Sequence, residues 1–199
     1  MSTLASYVSS VAMDGVETFK TARNNAKVTG KMIAHFLASK GHIFGNQTVS
    51  LMGFSLGSQV CKSTINRLSK LGINDLVQNV YLLAGATYIK TSKLDFQKQM
   101  LTDVVSGRIR NVHTKNDTTL ITFQTIYGQR AIGRNMYYLQ DPQNLEHSAE
   151  SQQEAGQEAK TEQETLFSFE NIDVTSFVSG HLDYRNKLDL ILDFVNFSS

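Results

Sequence analysis

An apolar run, Val49-Ser50-Leu51-Met52, leads directly into Gly53-Phe54-Ser55-Leu56-Gly57, and a helical pattern continues from Leu56. A serine flanked by glycines two positions away on either side, at the junction of a strand and a helix, is the setting of a nucleophile elbow. The tight turn lifts the hydroxyl above the strand end and holds the serine in a strained backbone conformation. The helix that starts there aims its first amides, that of Leu56 among them, at a developing oxyanion. An ordinary strand-to-helix turn can carry the same five letters; the strand and helix on either side favour the chemical reading.

A serine hydroxyl needs a general base, and the base needs an orienting carboxylate, in the chain order Ser, Asp or Glu, His for this architecture. Five histidines compete. His35 and His42 precede the serine, and His147 lies in an acidic stretch. His113 ends an expected strand, but no acid sits at a strand end between it and Ser55. His181, in Ser179-Gly180-His181-Leu182-Asp183-Tyr184 just before the last helical pattern, is the candidate base. Asp117, a few loop residues past His113, is the candidate carboxylate, because loops there reach the same sheet edge as Ser55. Asp95 and Asp103 belong to a helical segment and read as solvated. The structural alternatives are an Asp117 that caps a helix over Thr118 to Ile126 and a His181 that packs at the last helix. Cys61, six residues past Ser55, reads as an inert buried thiol without a catalytic role. This chemistry calls for no metal and no organic cofactor.

The elements that must position these residues alternate. Strands are expected at Val49 to Met52, Val80 to Ala84 and Ile109 to His113, with helical patterns between them: Leu56, Val60, Leu68 and Leu71 up to a stop at Gly72, and Phe96, Met100, Leu101 and Val104 up to Gly107. That succession predicts a parallel sheet. Ahead of it, apolar residues from Val8 to Leu37 recur three or four apart, which predicts one or two helices with a buried face. Gly30 lies on that face, either where the helix approaches a sheet or where it is interrupted. Leu188, Ile191, Leu192 and Val195 mark a closing helix.

Gln143 to Thr165 carries Glu146, Glu150, Glu154, Glu158, Glu162 and Glu164 with Leu145 as its one large aliphatic residue. It is expected to be a disordered acidic insertion, a solvated helix at most. With 19 basic and 18 acidic residues the chain has a formal net charge of +1, which gives no electrostatic support to nucleic-acid binding or to anionic-membrane binding. One cysteine closes no intrachain disulfide. Neither a secretory leader nor a run of about 20 apolar residues stands out, so the chain is expected to be cytoplasmic and not to span a bilayer by itself.

Three blocks resemble a known family in the same order: Leu51 to Gly57; Val104-Val105-Ser106-Gly107-Arg108-Ile109 with Asn116-Asp117; and Asn171 to Thr175 followed by Val178 to Tyr184. They are similar to the C-terminal α/β-hydrolase-like region of the transmembrane and coiled-coil domain-containing protein 4 family, a domain of unknown function. The resemblance covers roughly residues 20 to 195 apart from the acidic stretch. It implies an α/β-hydrolase-like fold, a mostly parallel sheet with flanking helices, with Ser55, Asp117 and His181 in the triad positions. It brings no substrate. Family members are longer and membrane-associated, with predicted membrane-spanning segments and the first half of the hydrolase sheet ahead of this region. Residues 1–199 are therefore expected to form a partial domain that lacks the N-terminal half of the fold. The strand at Val49 would lack a neighbour on one side and the site its second oxyanion donor, so a partner chain or a missing N-terminal segment would complete the sheet, and the chain alone would be poorly soluble or associated. Two functions follow. One is a serine hydrolase, esterase or lipase-like, acting on a carboxylic ester or lipid-like substrate. The other is a non-catalytic module that uses the scaffold for membrane-associated assembly or traffic, since fold alone does not establish activity.

Overall fold

The computed structural model describes residues 2–40, 47–88, 101, 103–134 and 168–197. Its centre is a parallel sheet of β1 (Val49–Phe54), β2 (Val77–Leu83), β3 (Arg108–His113) and β4 (Ser168–Asp173), laid side by side in chain order. The register sets Leu51 beside Val80, Val80 beside Ile109, and His113 beside Asp173. Around it lie α1 (Ser2–Lys40), α2 (Gly57–Lys70), α3 (Thr119–Tyr127), α4 (Asp183–Asn186) and α5 (Leu188–Phe194). The chain is of the α/β class, as its alternating pattern predicts.

Side chains alternate across a strand, so β2 serves two cores at once. Val80 and Leu82 pack with Ile109, with Ile65 and Leu68 of α2, and with Ala34 of α1. Tyr81 and Leu83 face the other way, onto Val112, Tyr184, Ile191 and Val195. Burial on both faces explains the continuous apolar run Val80-Tyr81-Leu82-Leu83 that ends β2.

Strand β4 departs from expectation, because Ser168-Phe169-Glu170-Asn171-Ile172-Asp173 is too polar to read as a core strand. Its polar residues are matched across the ladder instead. Arg110 Nε donates to Glu170 Oε2 at 2.9 Å, and Asn111 Nδ2 donates to Asn171 Oδ1 at 3.0 Å. The buried Arg110 guanidinium also lies 5.4 Å from the Tyr81 ring centroid.

The first helical pattern forms one continuous helix of 39 residues. Gly30 does not interrupt it, and the neighbour it approaches is α2 rather than the sheet. A Cβ at Gly30 would stand 2.5 Å from the Val60 carbonyl oxygen and 2.6 Å from Ser63 Cβ, and Thr64 Oγ1 donates to the Gly30 carbonyl at 3.1 Å. Among the described residues β1 has a single strand neighbour, β2, and forms an edge of the sheet. Of the segment with Phe96, Met100, Leu101 and Val104, only Leu101 and Val104 are described, and both are buried in the core shared with α2. The acidic stretch Gln143 to Thr165, together with His42, Asp95 and His147, lies outside the described residues.

Candidate active site

Two residues, Ser55 and Leu56, separate the end of β1 from the start of α2. So short a reversal forces one of them into the left-handed region, and Ser55 has φ 54°. Its backbone is fixed on every side. Ser55 N–H donates to the Leu83 carbonyl at 2.9 Å, and the Ser55 carbonyl accepts from Ala86 N–H at 3.0 Å and Ser58 N–H at 3.1 Å. Ser58 Oγ ties back to the Gly53 carbonyl at 2.9 Å.

The two glycines of the motif are not equivalent. A Cβ on Gly53 would lie 2.4 Å from both C and O of Gly57, whereas a Cβ on Gly57 would meet nothing within 4 Å. Gly53 lets the chain cross itself; Gly57 has no such duty. Gly53→Ala is therefore expected to lower stability by about 1–3 kcal/mol through overpacking against backbone. Gly57→Ala should keep or raise the melting temperature, since alanine is the better helix former by about 1 kcal/mol. Paired thermal melts check this, and equal losses for the two variants would contradict it.

The structure brings Asp117 and His181 to Ser55. His181 Nε2 lies 2.9 Å from Ser55 Oγ, and His181 Nδ1 lies 2.6 Å from Asp117 Oδ2. The Asp117 side chain is fully buried and that of His181 is 9% exposed. Asp117 follows β3 and His181 follows β4, so both arrive at the carboxyl end of the sheet, where Ser55 also stands. The other Asp117 oxygen, Oδ1, accepts from Leu120 N–H at 3.1 Å, in the first turn of α3. Helix capping and contact with histidine are thus not alternatives, because one carboxylate does both.

The two loops are pinned to each other by residues the sequence did not single out for this. Thr114 Oγ1 and Asn116 Nδ2 each donate to the Val178 carbonyl at 3.2 Å. Thr175 Oγ1 accepts from Lys115 N–H at 3.1 Å. Phe54 flanks the imidazole, with ring centroids 5.0 Å apart. Beyond His181, Asp183 accepts from both N–H and Oγ of Ser179, and these bonds hold its carboxyl below the usual range. Asn116, Thr175, Val178, Ser179 and Asp183 all fall within the blocks that carry the family resemblance, which assigns them no role. Leu56 N–H has no backbone acceptor among the described residues and stands at the amino end of α2 beside Ser55.

The other described histidines are elsewhere. His35 accepts from Arg67 Nε at 3.0 Å on the exposed face where α1 meets α2. His113, at the end of β3, is fully buried, and neither ring nitrogen has a partner among the described residues. Burial pushes its pKa down, against the pull of Asp173. The unfolded chain therefore takes up a proton below about pH 6.5 that the folded chain resists, so His113 makes stability fall as pH drops below that value. Thermal melts between pH 7.5 and 5.5 should show a shallower decline for His113→Gln than for the unaltered protein; an equal decline would remove His113 as a source. Cys61 is buried, which pushes its thiol up to about 12. It stays protonated at neutral pH, as a small hydrophobe. No group of three or more His, Cys, Asp or Glu side chains is placed to hold a metal among the described residues.

A family model described as "Protein of unknown function (DUF726)" matches residues 8–148 and 148–198. Among curated proteins, an uncharacterized membrane protein of Schizosaccharomyces pombe is 32% identical over 87% of this chain and 19% of its own length. A protein of Saccharomyces cerevisiae named a probable lipase is 28% identical over 82% of this chain and 12% of its own length. A transmembrane and coiled-coil domain-containing protein of Oryza sativa subsp. japonica is 28% identical over 91% of this chain and 23% of its own length. The chain thus spans less than a quarter of these relatives. No solved structure matches it. Relatives are named as membrane proteins, while no helix among the described residues is long and apolar enough to cross a membrane.

Proposed function

The chain belongs to the DUF726 family, and from that membership and the site we propose that it is a serine hydrolase built on an α/β-hydrolase-like scaffold, acting on a carboxylic ester or lipid-like acyl substrate. The observation that carries the reading is the continuous hydrogen-bonded path from Ser55 Oγ through His181 to Asp117. The relative named a probable lipase supports it.

In this proposal Asp117 accepts from His181 Nδ1–H and so fixes the tautomer that leaves Nε2 free to accept the Ser55 proton. As that proton moves, Ser55 Oγ bonds to the acyl carbon, and the carbonyl electrons go to oxygen, where Leu56 N–H meets the charge. The His181 imidazolium returns the proton to the departing alkoxide, leaving an acyl-serine. Water, deprotonated by the same nitrogen, then releases the acid and restores Ser55. The strained backbone of Ser55 keeps the hydroxyl in place. Leu56 supplies one oxyanion donor; we place the second on a segment beside the open edge of β1. Membrane attachment through other parts of the longer relatives, with this domain on the cytoplasmic side, belongs to the same proposal.

The competing reading is a non-catalytic module on the same scaffold. A 2.9 Å contact between Ser55 Oγ and the imidazole, where about 4 Å or more would have favoured the module, supports the hydrolase. Turnover of short-chain p-nitrophenyl esters by the folded chain, absent when His181 is replaced by alanine, is the expected result. A folded protein with no turnover above buffer would return the argument to the module.

A further inference from the structure

Helices α1 and α2 run parallel, with Gly30 level with Val60 and Ser63, and His35 level with Arg67. Seven residues back along α1 from Gly30, on the stretch that leads toward the amino end of α2, stands Arg23. It is 6% exposed. Its guanidinium lies 4.6 Å from the Tyr127 ring centroid, 5.0 Å from that of Tyr88 and 5.9 Å from that of Phe123. Phe123 is part of a buried cluster with Ala86, Leu120 and Ala131, and Tyr88, Tyr127, Phe19 and Leu56 all pack against that cluster, so this cation and the oxyanion donor border the same core. Among the described residues no carboxylate pairs with Arg23, and its Nε is buried without a hydrogen-bond acceptor. Lys62 is a second cation on the same ring, 5.4 Å from the Tyr88 centroid, and donates to the Tyr88 carbonyl.

Three aromatic faces stabilise a guanidinium but offer it no acceptor in the plane of its N–H groups. Arginine cannot escape by losing its proton. A buried cation with an unmet Nε–H is matched by an oxyanion, which the guanidinium fork can bind bidentately. Phosphate oxygens have that geometry.

We propose that Arg23 is an anion subsite beside Ser55, and that the substrate is an acyl ester bearing a phosphate, of the phosphatidate kind, in preference to a neutral acylglycerol. This rests on the hydrolase reading above. The phosphate bonds the Arg23 fork, the acyl ester carbonyl reaches Ser55 and Leu56 N–H, and the apolar part lies along the aromatic cluster.

The test uses a matched pair, dibutyryl phosphatidate and dibutyrylglycerol, which carry the same acyl esters and differ in the phosphate. Wild-type kcat/KM should be at least about tenfold higher for the phosphatidate, a preference of about 1.4 kcal/mol. Arg23→Gln should erase the preference, and Arg23→Lys should retain part of it as a point charge without the fork. A wild-type rate that is equal or higher on the neutral ester overturns the proposal, whatever the variants do. Calorimetry on the Ser55→Ala protein reads binding without turnover. There the phosphatidate should bind, and Arg23→Gln in the same background should weaken it at least tenfold. Inorganic phosphate that binds as tightly as the phosphatidate would make this a site for the free ion and overturn the lipid assignment. Arg23-dependent binding without hydrolysis by the wild type would overturn the hydrolase reading and leave the subsite standing. Hydrolysis with no phosphate preference would do the reverse.

Discussion

Ser55→Ala is expected to lower ester turnover by about 10⁴-fold or more while leaving the protein folded, as loss of the attacking atom does in serine enzymes whose three groups act as a unit. The fold should survive because what positions residue 55 is backbone: its N–H bond to Leu83 and its carbonyl bonds from Ala86 and Ser58 are all kept by alanine. The left-handed φ of 54° is as strained for alanine as for serine, so it adds no difference between the two. Steady-state rates and a thermal melt on one preparation check both halves. A variant that melts like the parent and still turns over within tenfold of it would exclude Ser55 as the nucleophile.

Asp117→Asn should cost about 10⁴-fold in kcat with little change in KM, and the reason lies in the two bonds that its carboxylate accepts. Oδ1 takes Leu120 N–H and Oδ2 takes His181 Nδ1–H. Asparagine has one acceptor oxygen. If that oxygen keeps the bond to Leu120, the amide NH2 faces Nδ1 and forces the imidazole into the other tautomer, with its proton on Nε2 pointing at Ser55 Oγ. Such a ring cannot receive the serine proton. If the amide flips to serve His181, the first turn of α3 loses a cap, worth about 1 kcal/mol. Asp117→Ala removes both bonds and should fall in melting temperature as well as rate. A kcat within tenfold of the parent for Asp117→Asn would mean that the carboxylate caps the helix and does nothing for the histidine.

The parts legible in the sequence are those where local pattern and burial agree. β1 and α2 are announced by an apolar run and a helical period, and the chain order of Ser55, Asp117 and His181 follows from loops at one end of a parallel sheet. β4 was not legible, because its pairing relies on Arg110 meeting Glu170 and Asn111 meeting Asn171, which are matches between residues 60 apart that no local window contains. For Gly30 the sequence left approach to a sheet and a helix interruption both open, and the structure shows neither but a close approach to α2, because a missing Cβ does not say what is near. The Arg23 cluster is also non-local. One cation from α1 meets rings from α3 and from the segment after β2, and in sequence Arg23 is merely one basic residue on a helix that carries several. The bonds among Thr114, Asn116 and Val178 were hidden for the same reason: they join loops that precede α3 and α4.

The central claim is that His181 and Asp117 make Ser55 a nucleophile. A fluorophosphonate probe tests it most directly, because the reagent forms a stable bond only with a serine activated in this way. Mass spectrometry of the labelled, folded chain should find one adduct, on the peptide carrying Ser55, and none in Ser55→Ala or His181→Ala. A folded wild-type chain that takes up no label, or label that persists in Ser55→Ala, would contradict the account.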